Sequence, residues 1–262
     1  MGESGMIDYT IDNDYFVGSQ YGSLGMTNKY YKDGYWYKQN FNGTEGQSEA
    51  VCSRLLSCSN VTDYVYYEEC LINGVPGCRS KSFTKEGETV VTFHRLYKMI
   101  TGGELKNRVS SFDTPKERIE FVIDFVEHYT GVDCKSYLNR MLYFDMLTLD
   151  VDRHFHNLSF IQTADGFREA PMFDFGASFF SLKHVFPDKM PLEEKFKKMT
   201  PQPFSRDFEE QAHLLGECEI KIDYEKVQSL VFDFLRERKD KSDDLCKLIA
   251  GQMERYRVNF AM

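Results

Sequence analysis

The sequence predicts an α+β protein with two lobes, a small antiparallel β-sheet lobe with one helix followed by a larger, mainly helical lobe. Two observations lead to this prediction. Residues 15–92 are rich in Tyr, Val, Phe and Gly and contain Asp-Gly, Asn-Gly and Glu-Gly turn signals, a pattern typical of short hairpins. From about residue 93 the apolar residues recur at helical spacing instead. We expect a single domain over 1–262, with one lobe over 1–82, the other over 83–262, and a ligand cleft between them.

One helix is predicted within the small lobe. Residues 44–57 carry four apolar residues at helical spacing, and Thr44 is suited to be the N-cap. The large lobe is predicted to contain several helices and one short hairpin. Its predicted elements are helices over 115–129 and 134–149, strands over 158–162 and 167–173, and two or three amphipathic helices between 206 and 257. Apolar residues lie on most sides of 134–149, so we expect this helix to be buried.

Composition and charge argue against several classes of protein. A net charge of -9 disfavours a generic basic surface, so we expect no direct nucleic-acid partner. No apolar run reaches transmembrane length and residues 1–15 lack the features of a secretory signal, so we expect no membrane partner. The cysteines are odd in number and form no C-x-x-C pair, which favours free thiols in a reducing cytosol. We therefore expect a cytoplasmic protein, with export by a signal-less route still open.

Two short stretches contain the residues expected to carry chemistry. Residues 149–157 read Leu-Asp-Val-Asp-Arg-His-Phe-His-Asn, and Asp174 opens an Asp-Phe-Gly tripeptide 17 residues after Asn157. Phosphoryl transfer requires a carboxylate that accepts the proton of the attacking hydroxyl, and oxygen ligands for magnesium. Asp152, five residues before Asn157, has the spacing of this base, and Asn157 and Asp174 are suited to bind the metal. Asp150, seven residues before Asn157, is the second candidate for the base.

The order of these residues, D-R-H-x-x-N followed by D-F-G, resembles the HipA-like serine/threonine kinases and the phosphoinositide 3-kinase-related branch of the protein-kinase-like superfamily. The short chain and the order of its elements favour the HipA-like family, and within it the small CtkA-type members. The resemblance covers most of residues 15–180. It implies a bilobal protein-kinase-like fold, ATP and Mg²⁺ as cofactors, and a protein substrate with a Ser/Thr acceptor.

The resemblance also assigns a role to a glycine-rich stretch over residues 18–25. Its backbone amides would approach the ATP phosphates, with Gly22, Ser23 and Gly25 as the contacts. The spacing is G-x-x-x-G-x-x-G, so a flexible turn is the alternative interpretation. The resemblance further implies autophosphorylation of a loop serine, either Ser19 or Ser23.

Further positions complete the predicted ATP site. Lys38 resembles the strand lysine that contacts the α- and β-phosphates. Glu49, on the predicted helix of the small lobe, is expected to hold Lys38, with Glu45 one turn earlier as the alternative. A hinge over 77–83 is expected to contact adenine, with Ser80 within it.

Other residues of the 149–157 stretch bear on the interpretation. Arg153 is expected to pair with a carboxylate. His154 is expected to be packed and hydrogen-bonded rather than to bind zinc with His156, because no third ligand follows at a suitable spacing. No A-P-E segment follows D-F-G, so the sequence does not identify the acceptor. The same residues also fit a small-molecule or lipid kinase, or a nucleotide-binding pseudokinase that acts by docking a partner.

Overall fold

The tyrosine-rich segments of the N-terminal lobe pair into a five-stranded sheet. The computed structural model describes residues 6–18, 27–41, 43–237 and 242–261. The strands are β1 (Asp8–Tyr9), β2 (Lys29–Lys32), β3 (Tyr35–Gln39), β4 (Tyr67–Ile72) and β5 (Val75–Lys81), in the spatial order β1-β4-β5-β3-β2. Neighbouring strands are antiparallel except β1 and β4, which are parallel. The predicted antiparallel sheet is confirmed apart from this two-residue edge strand.

A two-residue turn sets the register of β2 and β3. Asp33 and Gly34 both have positive φ, 51° and 79°, as the tight turns of twisted hairpins require. The register places Lys29 opposite Lys38 and Tyr30 opposite Tyr37. Directly opposed residues point to the same side of a sheet, so Lys29 and Lys38 share one face.

The predicted helix of the small lobe is α1 (Glu45–Ser57), which packs against β4 and β5. Thr44 is the N-cap residue of α1, as predicted, although its side chain makes no capping hydrogen bond. The Asn40 side-chain oxygen instead accepts a hydrogen bond from the Gly46 amide at 2.8 Å. A Cβ on Gly46 would lie 2.5 Å from the carbonyl carbon of Gly77, so glycine is needed for α1 to lie this close to β5.

The C-terminal lobe begins with four helices and a second, three-stranded sheet. The helices are α2 (Phe93–Thr101), α3 (Leu105–Ser110), α4 (Pro115–Thr130) and α5 (Lys135–Thr148). The strands are β6 (Thr89–Thr92), β7 (Ser159–Thr163) and β8 (Gly166–Glu169), in the order β6-β7-β8. The helices predicted over 115–129 and 134–149 and the predicted hairpin are therefore present, with bounds that differ by a few residues.

Beyond residue 190 most of the described helices are short. They are α6 (Leu192–Lys198), α7 (Phe208–Ala212), α8 (Tyr224–Val227), α9 (Phe234–Arg236), α10 (Ser242–Arg255) and α11 (Arg257–Phe260), with a 3₁₀ turn at His213–Leu215 and a π-helical segment at Gln228–Asp233. Within the described part of 206–257 the helical residues form three continuous stretches, 208–215, 224–236 and 242–255, so the predicted two or three helices are confirmed. Several of these segments pack on α1 or α5, and such packing stabilises helices too short to form alone. Across the described ranges, no helix is long and apolar enough to cross a membrane.

One hydrophobic core runs through both lobes and includes residues of α1, α4 and α5. Helix α5 is buried on most sides, as predicted. All seven cysteines are free and six of them are buried, which confirms the expectation of free thiols. The lobes are connected by residues 82–88. The predicted hinge over 77–83 begins too early, because residues up to Lys81 belong to β5.

Candidate active site

The loop after α5 turns back on itself at the helix end. Leu149 adopts a left-handed conformation with φ of 59°, which ends α5 and redirects the chain. The buried Asp150 carboxylate accepts hydrogen bonds from the Asp152 amide at 2.9 Å and from the Ser178 hydroxyl at 3.1 Å. Burial raises the pKa of Asp150 to about 8, against the opposing charge of Arg153. Asp150 thus has a hydrogen-bonding role, which fixes the Asp152 amide and the Ser178 hydroxyl.

Arg153 connects this loop to α5 and to the segment before Asp174. Its guanidinium makes three contacts of 3.0 to 3.2 Å with Asp145, whose side chain is fully buried. It also donates to the Phe173 carbonyl at 2.9 Å. Burial alone would lower the pKa of Arg153, but Asp145 and Asp150 outweigh it and raise this pKa. The expected pairing of Arg153 with a carboxylate is confirmed, and the pair fixes the loop between two elements.

Asp152 and Asn157 are presented by this fixed loop. The Asp152 side chain is 51% exposed and lines the cleft. Partial burial raises the pKa of the Asp152 carboxylate. The nearby His154 lowers this pKa, and the negative charge of Asp174 raises it further. The Asn157 side-chain nitrogen donates to the Asp152 carbonyl at 3.0 Å. The Asn157 side-chain oxygen is buried and has no hydrogen-bond partner among the described residues, so it is available to a ligand.

Lys38 lies at the centre of the cleft, where it joins three elements. Its ammonium lies 2.9 Å from Glu49 of α1 and 2.9 Å from Asp174. Burial lowers the pKa of Lys38, but Asp174 and Glu49 outweigh it and hold this pKa well above its usual value. Burial alone would raise the pKa of Asp174. The positive charges of Lys38 and Lys29 outweigh burial and hold this pKa well below its usual range. Lys38 and Asp174 are therefore both charged at neutral pH.

The backbone around Asp174 is held in a specific conformation. Asp174 has a φ of 62°, in the left-handed region that residues other than glycine rarely adopt. Its amide donates to the Tyr67 hydroxyl at 3.3 Å, and the Phe175 amide donates to Glu49 at 2.8 Å. The buried Phe175 ring packs edge-on against Phe144, with ring centroids 5.2 Å apart. These contacts direct the Asp174 carboxylate at Lys38.

A cavity of about 480 Å³ opens from these residues. Its lining includes the charged residues Lys29, Lys38, Glu49, Asp152 and Asp174. The lining also includes Phe41 and residues from the segment between Asp174 and α7, among them Leu182, His184, Val185, Phe186, Lys198, Met199, Thr200 and Gln202. The cavity thus extends from the charged groups around Lys38 to the segment that follows Asp174.

The structure places the other predicted nucleotide contacts as follows. Gly22, Ser23 and Gly25 lie outside the described residues, as does Ser19. Ser80 lies in β5 opposite Trp36, on the same face of the sheet as Lys38, and is buried. The cavity lining includes Glu45, but the α1 carboxylate that pairs with Lys38 is that of Glu49.

His154 is packed and hydrogen-bonded through its backbone, as predicted: its amide donates to the Asp152 carbonyl at 2.9 Å, and its carbonyl accepts from the Asn157 amide at 2.8 Å. Its side-chain Nδ1 atom is buried without a hydrogen-bond partner among the described residues. The His154 ring contacts His156, with ring centroids 5.5 Å apart, and His156 packs against His94 at 4.1 Å. Burial lowers the pKa of His156 to about 4. No group of three potential metal-binding side chains was found in the described part of the chain.

Sequence reasoning also missed residues that shape the site. Lys29 was missed because its place beside Lys38 depends on strand register, for which the Asp33-Gly34 turn was the available signal. Tyr67 accepts a hydrogen bond from the Asp174 amide, and the Ser178 hydroxyl donates to Asp150. The two residues of each pair are distant in sequence, so neither contact could be predicted.

Asn157 and Asp174 offer oxygen donors of the kind that fit a magnesium ion. Mg²⁺ binds hard oxygen ligands and takes one or two protein groups, with phosphate oxygens and water completing its shell. Asn157 supplies a buried side-chain oxygen without a hydrogen-bond partner among the described residues, and Asp174 supplies a carboxylate whose pKa is held low. These two groups are the donors that such an ion requires of the protein.

A sheet lobe, a helical lobe and a lysine shared by α1 and the D-F-G segment define a protein-kinase-like fold. The fold is similar to that of CtkA, a proinflammatory kinase from Helicobacter pylori. Its crystal structure superposes with a TM-score of 0.62 at 14% identity, covering 95% of this chain and 94% of CtkA. HipA from the Shewanella oneidensis MR-1 toxin–antitoxin system, solved with HipB and operator DNA, gives a TM-score of 0.44 at 13% identity over 95% of this chain and 66% of HipA. No protein-family model matches the sequence, and no curated protein matches it.

Proposed function

We propose that this chain is a single kinase domain, an ATP- and Mg²⁺-dependent phosphotransferase that acts on Ser or Thr hydroxyls of a protein substrate. The observation that carries the proposal is the position of Lys38, 2.9 Å from both Glu49 and Asp174. A strand lysine held by a helix glutamate beside the D-F-G aspartate is the arrangement that positions ATP phosphates in protein kinases. The CtkA-like fold supports the same function. The free cysteines support a reducing, cytoplasmic location.

The nucleotide side of the site is formed by groups from both lobes. Lys38, held by Glu49, would bind the α- and β-phosphates. Gly22, Ser23, Gly25 and Ser80 are the further proposed nucleotide contacts. Asn157 and Asp174 would hold Mg²⁺, which neutralises phosphate charge when bound.

The acceptor side depends on Asp152. Its carboxylate orients the acceptor hydroxyl and takes its proton, while the hydroxyl oxygen bonds to the γ-phosphorus and the bond to the β-phosphate oxygen breaks, releasing ADP. A raised pKa makes Asp152 a better proton acceptor near neutral pH than an ordinary aspartate. Asp150 holds the Asp152 amide, so the loop presents this carboxylate in a defined position.

A contact between the lobes at the cavity favours a second candidate, a small-molecule kinase of the same fold. Phe41 of the N-terminal lobe meets His184 of the C-terminal lobe edge-on, with ring centroids 6.3 Å apart. Both residues line the cavity of about 480 Å³, a volume within the range of pockets that bind small ligands.

Phospho-amino-acid analysis separates the two candidates. Purified protein is incubated with Mg²⁺ and γ-labelled ATP, alone, with a basic protein acceptor, and with a small-molecule extract. Label recovered as phosphoserine or phosphothreonine would support the protein kinase, and label on the chain itself would support autophosphorylation, for which Ser19 and Ser23 are the proposed sites. Label confined to small molecules would support the second candidate. Absence of both transfer and ATP binding would overturn the proposal.

A further inference from the structure

Lys29 is a buried lysine in the wall of the cleft. It is 4% exposed, although lysine is almost never fully buried unless its charge is compensated. It opens β2 directly opposite Lys38, and opposed residues of antiparallel strands have Cβ atoms about 5 Å apart. Both lysines line the same cavity with Asp174 and Asp152. Two cations are thus held side by side, an arrangement that costs folding energy through burial and mutual repulsion.

The charges around Lys29 explain how the folded protein tolerates it. Burial lowers the pKa of Lys29, Lys38 lowers it further, and Asp174 and Glu49 raise it. Glu49 and Asp174 already contact Lys38 at 2.9 Å each. Adding a triphosphate to this cleft adds several negative charges, and a second nearby cation would stabilise them.

The position of Lys29 along the chain is also suited to phosphate binding. Its carbonyl accepts a hydrogen bond from the Val17 amide at 2.9 Å, and Phe16 bridges to Tyr30. Residues 16 and 17, which directly precede the glycine-rich stretch in sequence, therefore lie beside Lys29 and Tyr30. Lys29 belongs to the sheet face that carries Lys38, at the end of β2 nearest in sequence to this stretch.

We propose that Lys29 is a second phosphate-binding lysine, which contacts the triphosphate of the bound nucleotide beside Lys38. This assignment rests on the proposed function and adds a residue to its nucleotide site. A lysine that binds phosphate contributes to the affinity for ATP and ADP, whereas the affinity for adenosine does not depend on it.

The test compares nucleotide affinities of Lys29→Met with those of the wild type by calorimetry in Mg²⁺. Met retains the length of the buried stem and removes the charge. We expect Lys29→Met to weaken ATP binding about tenfold to hundredfold, the range of a lost charge-assisted hydrogen bond. Adenosine binding stays within about twofold, and Lys29→Arg restores much of the ATP affinity. Lys32→Met is the matched control, because Lys32 lies on the same strand but on the opposite face.

The possible results distinguish this assignment from the proposed function. Unchanged ATP affinity in Lys29→Met, or equal losses of ATP and adenosine affinity, would overturn the role of Lys29 while leaving the kinase proposal in place. A wild-type protein that binds no nucleotide would overturn both. Thermal melting identifies variants that fold, and Lys29→Gln is the second variant, because a neutral polar group lacks the charge on which the prediction depends.

Discussion

Replacing Arg153 by methionine removes the partner of Asp145, a carboxylate with a fully buried side chain. The wild-type pair makes three N···O contacts of 3.0 to 3.2 Å, and Arg153 also serves the Phe173 carbonyl. Breaking a buried ion pair by removing one partner costs about 3–5 kcal/mol, because the remaining charge is left uncompensated. With an m-value of about 3 kcal/mol/M, the urea midpoint should fall by about 1–2 M.

The destabilisation caused by Arg153→Met should depend on pH in a defined direction. Burial raises the pKa of Asp145, and Arg153 opposes that shift. Without Arg153 the folded-state pKa rises further above that of the unfolded chain, so the folded state binds more protons between the two values. The loss of stability should therefore be largest at neutral pH and shrink as the pH falls toward about 4.

Urea unfolding followed by circular dichroism measures both effects. Adding Asp145→Leu to Arg153→Met removes the isolated carboxylate, and the double variant should be more stable than Arg153→Met alone. The matched control is Arg255→Met at the exposed Arg255–Glu209 pair, for which we expect a loss of at most about 1 kcal/mol. A loss at Arg153 no larger than at Arg255, or additive effects of the two core substitutions, would refute the reasoning.

Three further predictions concern the site. Glu49→Gln should lower kcat/KM for ATP about tenfold to hundredfold, because it weakens the ion pair that holds Lys38. Glu45→Gln is the control and should keep a kcat/KM close to that of the wild type. If steady-state kinetics gave the reverse order, Glu45 would be the functional partner of Lys38. Asn157→Leu should raise the Mg²⁺ concentration needed for half-maximal activity, because it removes a side-chain oxygen. Asn157→Asp keeps oxygen donors, so its half-maximal Mg²⁺ concentration should stay close to that of the wild type. Equal Mg²⁺ titrations for Asn157→Leu and wild type would argue against Asn157 as a ligand. Folding lowers the pKa of His156 from 6.5 to about 4, so the unfolded state binds more protons and stability should fall as pH decreases from 6.5 through 4. Melting temperatures of His156→Gln should depend less on pH than those of the wild type, with the exposed His128→Gln as control. An unchanged pH dependence in His156→Gln would contradict the pKa shift.

The residues closest in sequence were the most predictable. The buried helix, the D-R-H-x-x-N loop and the D-F-G segment follow one another within about forty residues. Their order and spacing could therefore be compared with the base and metal ligands that phosphoryl transfer requires. The fold class followed from the change from turn-rich to helical patterning near residue 93. The Lys38–Glu49 ion pair joins a predicted strand to the next predicted helix, so it too was accessible to sequence reasoning.

What could not be predicted depends on contacts between distant segments. Ser178 binds Asp150 from 28 residues away, and Tyr67 reaches Asp174 from 107 residues away. The start of the hinge was misplaced because nothing in the local sequence separates the last residues of β5 from the connection that follows. The helical stretches after residue 206 were expected, but their limits were not, because these stretches pack on α1 and α5.

The most direct test of the central claim is a comparison of phosphate transfer and nucleotide binding in Asp152→Asn, Asp174→Asn and wild-type protein with γ-labelled ATP and Mg²⁺. Asp165→Asn, at the exposed turn between β7 and β8, is the control and should retain full activity. We predict that Asp152→Asn binds MgATP normally but loses transfer by about a hundredfold or more, the scale of general-base catalysis. We predict that Asp174→Asn loses transfer together with the Mg²⁺ dependence of ATP binding. Transfer at the wild-type rate in either variant would contradict the assignment of this cleft as a phosphotransfer site.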